Sequence, residues 1–280
     1  MSQSSRSRFA PFVENLAERL VPTVSAKVDV ILGVPQITIR GDAGGNNVQI
    51  FDQGHGGDNA IKVVAGGVTT FFSGSIEDIS IDLDDGNDKL TYTLVGDLTV
   101  NRDVFSLMGS GNDIFKGVYQ ANIGNVTHHL ATFGENGNDA ASIDAIGANF
   151  SAGSNLGGID IAAGADVSWN LSDGFGVNAG YFSDDSYIIL YNGELDGDLS
   201  VKIDTGSGDD FLRMQAEIDS GSTGNLTAKM NAGAGGDFID ARVRKNTGAS
   251  AADVYVDVDG GLGIDDGTFD VAGTLVKKQV

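Results

Sequence analysis

The chain of 280 residues is acidic and rich in glycine: 39 Asp and Glu against 17 Lys and Arg give a formal net charge of −22, with 41 Gly, 3 Pro and no Cys. That charge disfavours nucleic acid and anionic membrane as partners, because both would be repelled, and favours solubility and cationic or basic partners. So little proline excludes a collagen helix, the lack of cysteine excludes a disulfide framework, and no apolar run approaches the ~18–20 residues that span a bilayer.

Residues 1–7 are rich in Ser and Arg, and Phe9, Phe12, Val13, Leu16 and Leu20 then fall at helical spacing until Pro22. This predicts a short amphipathic helix within an N-terminal segment, residues 1–27. From Val28 to the C-terminus the chain reads as one all-β domain, residues 28–280. Its first strands, around Ile37-Thr38-Ile39, Val48-Gln49-Ile50 and Ile61-Lys62-Val63, are irregularly spaced. Asn46 stands where later copies of a turn motif carry Asp, so this region is expected to be a hairpin-like cap or a short first coil.

A pattern Gly-x-Gly-x-Asp recurs along most of the chain, with regular coils from about Ile76. Full copies are Gly54-His55-Gly56-Gly57-Asp58, Gly109-Ser110-Gly111-Asn112-Asp113, Gly206-Ser207-Gly208-Asp209-Asp210, Gly233-Ala234-Gly235-Gly236-Asp237 and Gly261-Leu262-Gly263-Ile264-Asp265. Partial copies end at Asp88, Asp139 and Asp166. The terminal Asp therefore runs 88, 113, 139, 166, then 210, 237, 265, in steps of 25 to 28 residues. Alternating apolar runs precede the motifs, as in Ile79-Ser80-Ile81-Asp82-Leu83 and Val254-Tyr255-Val256-Asp257-Val258. A period of two marks a strand with one face buried, and a fixed period near 26 marks a solenoid. The expected fold is a parallel β-solenoid, a β-helix with two or three strands per coil of 25–28 residues.

The step from Asp166 to Asp210 is too long for one coil and short for two. That interval holds Trp169, Phe175, Tyr181, Phe182, Tyr187 and Tyr191 beside Asp173, Asp184, Asp185 and Glu194. Asp185 lies 25 residues before Asp210, so Ser183-Asp184-Asp185 reads as a decayed turn. As an enzyme, the chain would be a polysaccharide lyase or hydrolase using Asp184 and Asp185 with Arg213 nearby. Adjacent strand residues point oppositely, however, and the sequence favours a non-enzymatic reading in which the aromatics fill a widened core. The pair His128-His129 is split across a strand for the same reason, one exposed and one half-buried.

The stretch Pro11-Phe12-Val13-Glu14-Asn15-Leu16-Ala17-Glu18-Arg19-Leu20-Val21-Pro22 resembles the N-terminal segment of many exported or surface proteins of planctomycete bacteria, roughly P-x-L-E-x-L-E-x-R-x-x-P. Pro11, Glu14, Leu16, Arg19 and Pro22 match, while Ala17 stands where that pattern has Glu. The resemblance implies an extracellular or cell-surface address. The turn motif resembles part of the RTX calcium-binding nonapeptide, although RTX copies run in tandem every nine residues and these come once per coil. That resemblance implies calcium, with Asp88, Asp113, Asp139, Asp210, Asp237 and Asp265 as ligands, against the plainer reading of the Asp residues as turn formers. The expected function is an exported, surface-associated structural or adhesive β-solenoid, with calcium the ligand that the turn resemblance implies; the alternative is a protein that binds or cleaves cell-surface or extracellular polysaccharide.

Overall fold

The computed structural model describes residues 24–31, 34–124, 126–148, 166–172, 184–248, 253–263 and 265–278, with 31 and 166–172 by backbone alone. The expected N-terminal helix lies outside the described residues, and so do Phe175, Tyr181 and Phe182. Among the described residues all regular structure is β-strand.

The chain opens with an antiparallel pair, Ser25–Ile31 against Val34–Arg40. It crosses to a second sheet at Asn47–Asp52 and folds a hairpin, Gly57–Ala65 and Val68–Gly74, onto that strand. It then alternates between the sheets. The first sheet adds Asp78–Asp82, Arg102–Leu107, Thr127–Phe133, Asp166–Ser172, Asp198–Asp204, Asn225–Asn231, Asp253–Asp259 and Thr274–Lys278. The second adds Lys89–Leu94, Ile114–Tyr119, Ala140–Ile146, Ser186–Gly193, Phe211–Ile218, Phe238–Lys245 and Asp266–Val271. Among the described residues each sheet has ten strands, and every pairing beyond the antiparallel cap is parallel. A short third pairing joins Ala234–Gly235 to Leu262–Gly263. This is the expected parallel β-solenoid, with an antiparallel cap at its N-terminal end. Asp58 does not end a coil turn as its motif suggested: it lies inside the hairpin strand, where the chain reverses.

Alternation in sequence becomes apolar rows in space. In the first sheet the register aligns Ile37, Ile79, Val104 and Leu130, then Trp169, Val201, Ala228, Val256 and Leu275. In the second sheet Ile143, Ile189, Met214 and Ala241 form an equivalent buried row. Each fully buried aliphatic side chain contributes about 1.5–3 kcal/mol, and a one-residue slip would turn a whole strand's set outward. The rows therefore fix the register that stacks the turns.

The motif's first glycine sits left-handed, with φ between +81° and +98° at Gly109, Gly206, Gly233 and Gly261. The partial copies put Asp84 and Glu135 there at +67° and +75°. Glycine is the residue that takes this conformation without strain, which is why the motif begins with it.

Candidate functional site

Stacking in register brings the terminal Asp residues into one row at the turn that leads into the second sheet. The Asp88 carboxylate accepts through Oδ1 the backbone N–H of Asn46 at 2.6 Å, and Asp88 N–H in turn donates to Asp113 Oδ1 at 2.7 Å. The pattern repeats from Asp113 to Asp139 at 2.8 Å, Asp139 to Asp185 at 2.7 Å, Asp185 to Asp210 at 2.8 Å, Asp210 to Asp237 at 2.9 Å and Asp237 to Asp265 at 3.1 Å. All six residues expected from the sequence lie in the row. Two further members are Asn46 at its start and Asp185 in its middle. Asp166 is absent from it: that residue begins a strand of the first sheet, paired with Thr127 and Asp198. The coil that follows Asp139 spans 46 residues and closes at Asp185.

The row is buried, with Asp88, Asp113, Asp139, Asp185, Asp210 and Asp237 each no more than 4% exposed. Burial, opposed by the donated backbone amide, raises the carboxyls of Asp88, Asp139, Asp210 and Asp237 to about 6 and that of Asp113 to about 7. Neighbouring acids push in the same direction as burial, Asp139, Asp88 and Glu135 at Asp113, and Asp265 and Asp209 at Asp237. Oδ2 of Asp88, Asp113, Asp139 and Asp237 is buried with no hydrogen-bond partner. One residue earlier a second, exposed row runs the opposite way: Asn87, Asn112 and Asn138 accept through Oδ1 from the N–H of Asn112, Asn138 and Asp184 at 2.9–3.3 Å. Asp184 continues it to Asp209 at 2.9 Å.

The two rows account for Asp184 and Asp185. They face opposite ways, one exposed and one buried, and each accepts an amide from a neighbouring coil. They do not form an acid–base pair. Arg213 bonds Asp240 at 3.0 Å, in a group completed by Arg242 on the other oxygen at 2.7 Å.

A second buried polar group lies between the sheets near the cap, and the sequence reading missed it. Asp52 accepts Arg102 Nε at 2.6 Å and Tyr92 Oη at 2.8 Å on Oδ2, with Arg102 Nη2 at 3.2 Å and Gly54 N–H at 2.8 Å on Oδ1. Asp52, Tyr92, Arg102 and His128 are all 0% exposed. His128 Nδ1 lies 2.9 Å from the Arg102 carbonyl, which can only accept, so Nδ1 carries the proton and Nε2 accepts from Tyr119 Oη at 2.7 Å. Burial holds His128 neutral, its pKa lowered to about 4. His129 faces out beside Asp103 at 3.2 Å, so the pair divides as expected, with the inner ring buried completely. The group is fully buried and bonds one sheet to the other.

One open groove on the outer face carries mixed aromatic and polar groups. The register places Phe51, Lys62 and Phe71 in one row across three strands of the cap. Lys62 Nζ stands 4.1 Å from the Phe51 ring centre, while Phe71 is 56% exposed. Gln53, Asp58 and Asn59 line the same groove, of about 440 Å³.

Calcium takes six to eight oxygens in a flexible shell. Each row carboxylate has already given Oδ1 to an amide, and the void beside Asp113 and Asp139 is about 10 Å³. Among the described residues no three His, Asp or Glu side chains converge where they could hold a metal ion. Comparison with known protein families, curated proteins and solved structures found no match to this chain.

Proposed function

We propose that the chain is an exported, cell-surface-associated structural or adhesive rod. The observation that carries this reading is the unbroken hydrogen-bonded row from Asn46 to Asp265. In it the chain's most repeated polar residues are spent inside the turns, holding coil to coil. The N-terminal segment, by its resemblance, would supply the address. Fractionation of native cells tests the reading: the full chain should be recovered at the surface and be removed by external protease. A chain found inside the cell, with or without residues 1–22, would contradict it.

A second reading, carbohydrate binding, is favoured by the groove at Phe51, Lys62 and Phe71. An exposed aromatic face suits the apolar face of a sugar ring, and Gln53, Asp58 and Asn59 can exchange hydrogen bonds with its hydroxyls. The acidity of the chain favours a neutral glycan over a polyuronate. Phe71→Ala is then expected to abolish retention on a neutral polysaccharide matrix while leaving the melting temperature within about 1–2 °C, since the side chain is mostly exposed. Retention unchanged in that variant would remove the groove from consideration.

A further inference from the structure

We propose that the buried Asp row binds protons in place of calcium, with Asp88, Asp113, Asp139 and Asp237 standing as neutral carboxylic acids whose Oδ2–H donates to a turn carbonyl as the amide of Asn46 does. Asn46 is the template. It occupies the first rung, and its Nδ2 donates to the carbonyls of Asp42 at 2.9 Å and Leu83 at 3.0 Å and to Asp88 Oδ1 on the next rung at 3.1 Å. Its Oδ1, the atom to which an earlier coil would donate, has no partner at the start of the row. The two oxygens of each Asp rung correspond to those two atoms. Oδ1 takes the amide of the preceding coil, and Oδ2 stands in the place of Nδ2.

In the turn that ends at Asp88, the residues equivalent to Asp42 and Leu83 are Asp84 and Met108; for Asp113 they are Gly109 and Gly134. An ionised Oδ2 would set an oxygen against carbonyl oxygens, with nothing to donate between them. Oδ2 of Asp88, Asp113, Asp139 and Asp237 is buried with no hydrogen-bond partner. A proton on that atom makes it a donor and removes the buried charge in the same step.

The charged groups that bear on the rungs are acids: Asp42 and Asp84 on Asp88, Glu135 on Asp113 and Asp139, Asp184 on Asp210, and Asp209 and Asp265 on Asp237. Proton uptake is thus favoured by each of these charged neighbours and opposed by the donated backbone amides. Asp88, Asp139, Asp210 and Asp237 are raised to about 6 and Asp113 to about 7, so the folded chain holds protons there that the unfolded chain has released. The stability they contribute is full below the unfolded value near 3.8 and is lost as pH rises through 6 to 7. His128, lowered to about 4, works the other way, gaining stability as pH rises from 4 to its unfolded value. Comparing variants at each pH cancels that opposing contribution.

The test uses the full chain and the variants Asp113→Asn, Asp139→Asn and their double, melted at pH 5 and pH 8 in EDTA and in millimolar calcium. The wild type is expected to melt several degrees lower at pH 8 than at pH 5. The Asn variants should match it at pH 5 and melt above it at pH 8, because an amide donates at any pH. Calcium should shift none of them. A pH dependence that the double variant leaves intact, or a calcium-dependent rise at pH 8 that the double variant loses, would overturn the proposal, the latter in favour of a calcium row. Should the variants fail to fold, infrared spectra of the wild type decide. The carbonyl stretch of protonated carboxylic acid should persist at pH 6, where exposed acids are ionised, and its absence would be equally contrary.

Discussion

Asp52→Ala is expected to destabilise the chain by about 3–5 kcal/mol, because it leaves Arg102 charged and buried without its counter-ion. The guanidinium is 0% exposed, it bonds Asp52 through both Nε and Nη2, and its Nη1 already lacks a partner. Tyr92 Oη and Gly54 N–H lose their acceptor in the same change. At roughly 2–4 °C per kcal/mol for a chain of this size, the melting temperature should fall by about 10 °C. The double variant Asp52→Leu/Arg102→Met removes both charges and should recover most of the loss, as buried ion pairs commonly contribute little beyond what apolar packing supplies. Tyr92→Phe should cost only about 1 kcal/mol, one hydrogen bond to a group that keeps its other donors. A thermal melt in which Asp52→Ala behaved like a surface substitution would show that the ion pair is not buried between the sheets.

Gly137→Ala is expected to be as damaging by a different route. Gly137 has φ of +138°, and a Cβ added there would stand 1.5 Å from the carbonyl oxygen of Gly111 in the preceding coil. That neighbour is backbone and cannot turn aside, so the coils must separate where Asp113 and Asp139 bond. The cost should exceed about 3 kcal/mol, in the range reached only by named mechanisms of strain or packing failure. Gly67→Ala is the control: its φ is +78°, but a Cβ there meets nothing within 4 Å, and the expected cost is about 1 kcal/mol of backbone strain alone. Equal losses in the two variants would mean that the coils do not touch at Gly137.

The turns and strands were legible because each rests on local chemistry. Left-handed positions select Gly, and one-sided burial selects alternation, so the motif and the apolar runs announce a solenoid without knowledge of what touches what. The order of rungs was less legible. Asp166 carries the motif's spacing yet begins a strand, and Asp185 lacks the motif's glycines yet closes the coil, since accepting the amide of Asp139 in the preceding coil asks only for the carboxylate. Asn46 was visible as an Asp substitute, but the hairpin inserted between it and Asp88 hid its place one coil away. The Asp52–Arg102 pair joins residues 50 apart in sequence, and no motif links them. Its signal was parity: Asp52 alternates with Val48 and Ile50, Arg102 with Val104, and His128 with Leu130, which turns all three polar groups inward.

The central claim is that one register runs through the whole row, with Asp185 and not Asp166 following Asp139. The chain has no cysteine, so engineered disulfides report it without background. Neighbouring coils stand about 4.8 Å apart, within the Cα separations a disulfide accepts. Asn138 and Asp184 occupy adjacent coils, with Asp184 N–H 3.3 Å from Asn138 Oδ1. The double variant Asn138→Cys/Asp184→Cys is expected to crosslink within the folded chain under mild oxidation, whereas Asp139→Cys/Asp166→Cys is expected to stay reduced, because Asp166 lies beside Thr127 and Asp198 in the first sheet. Crosslinking of the second pair in preference to the first would place Asp166 in the row and contradict the claim.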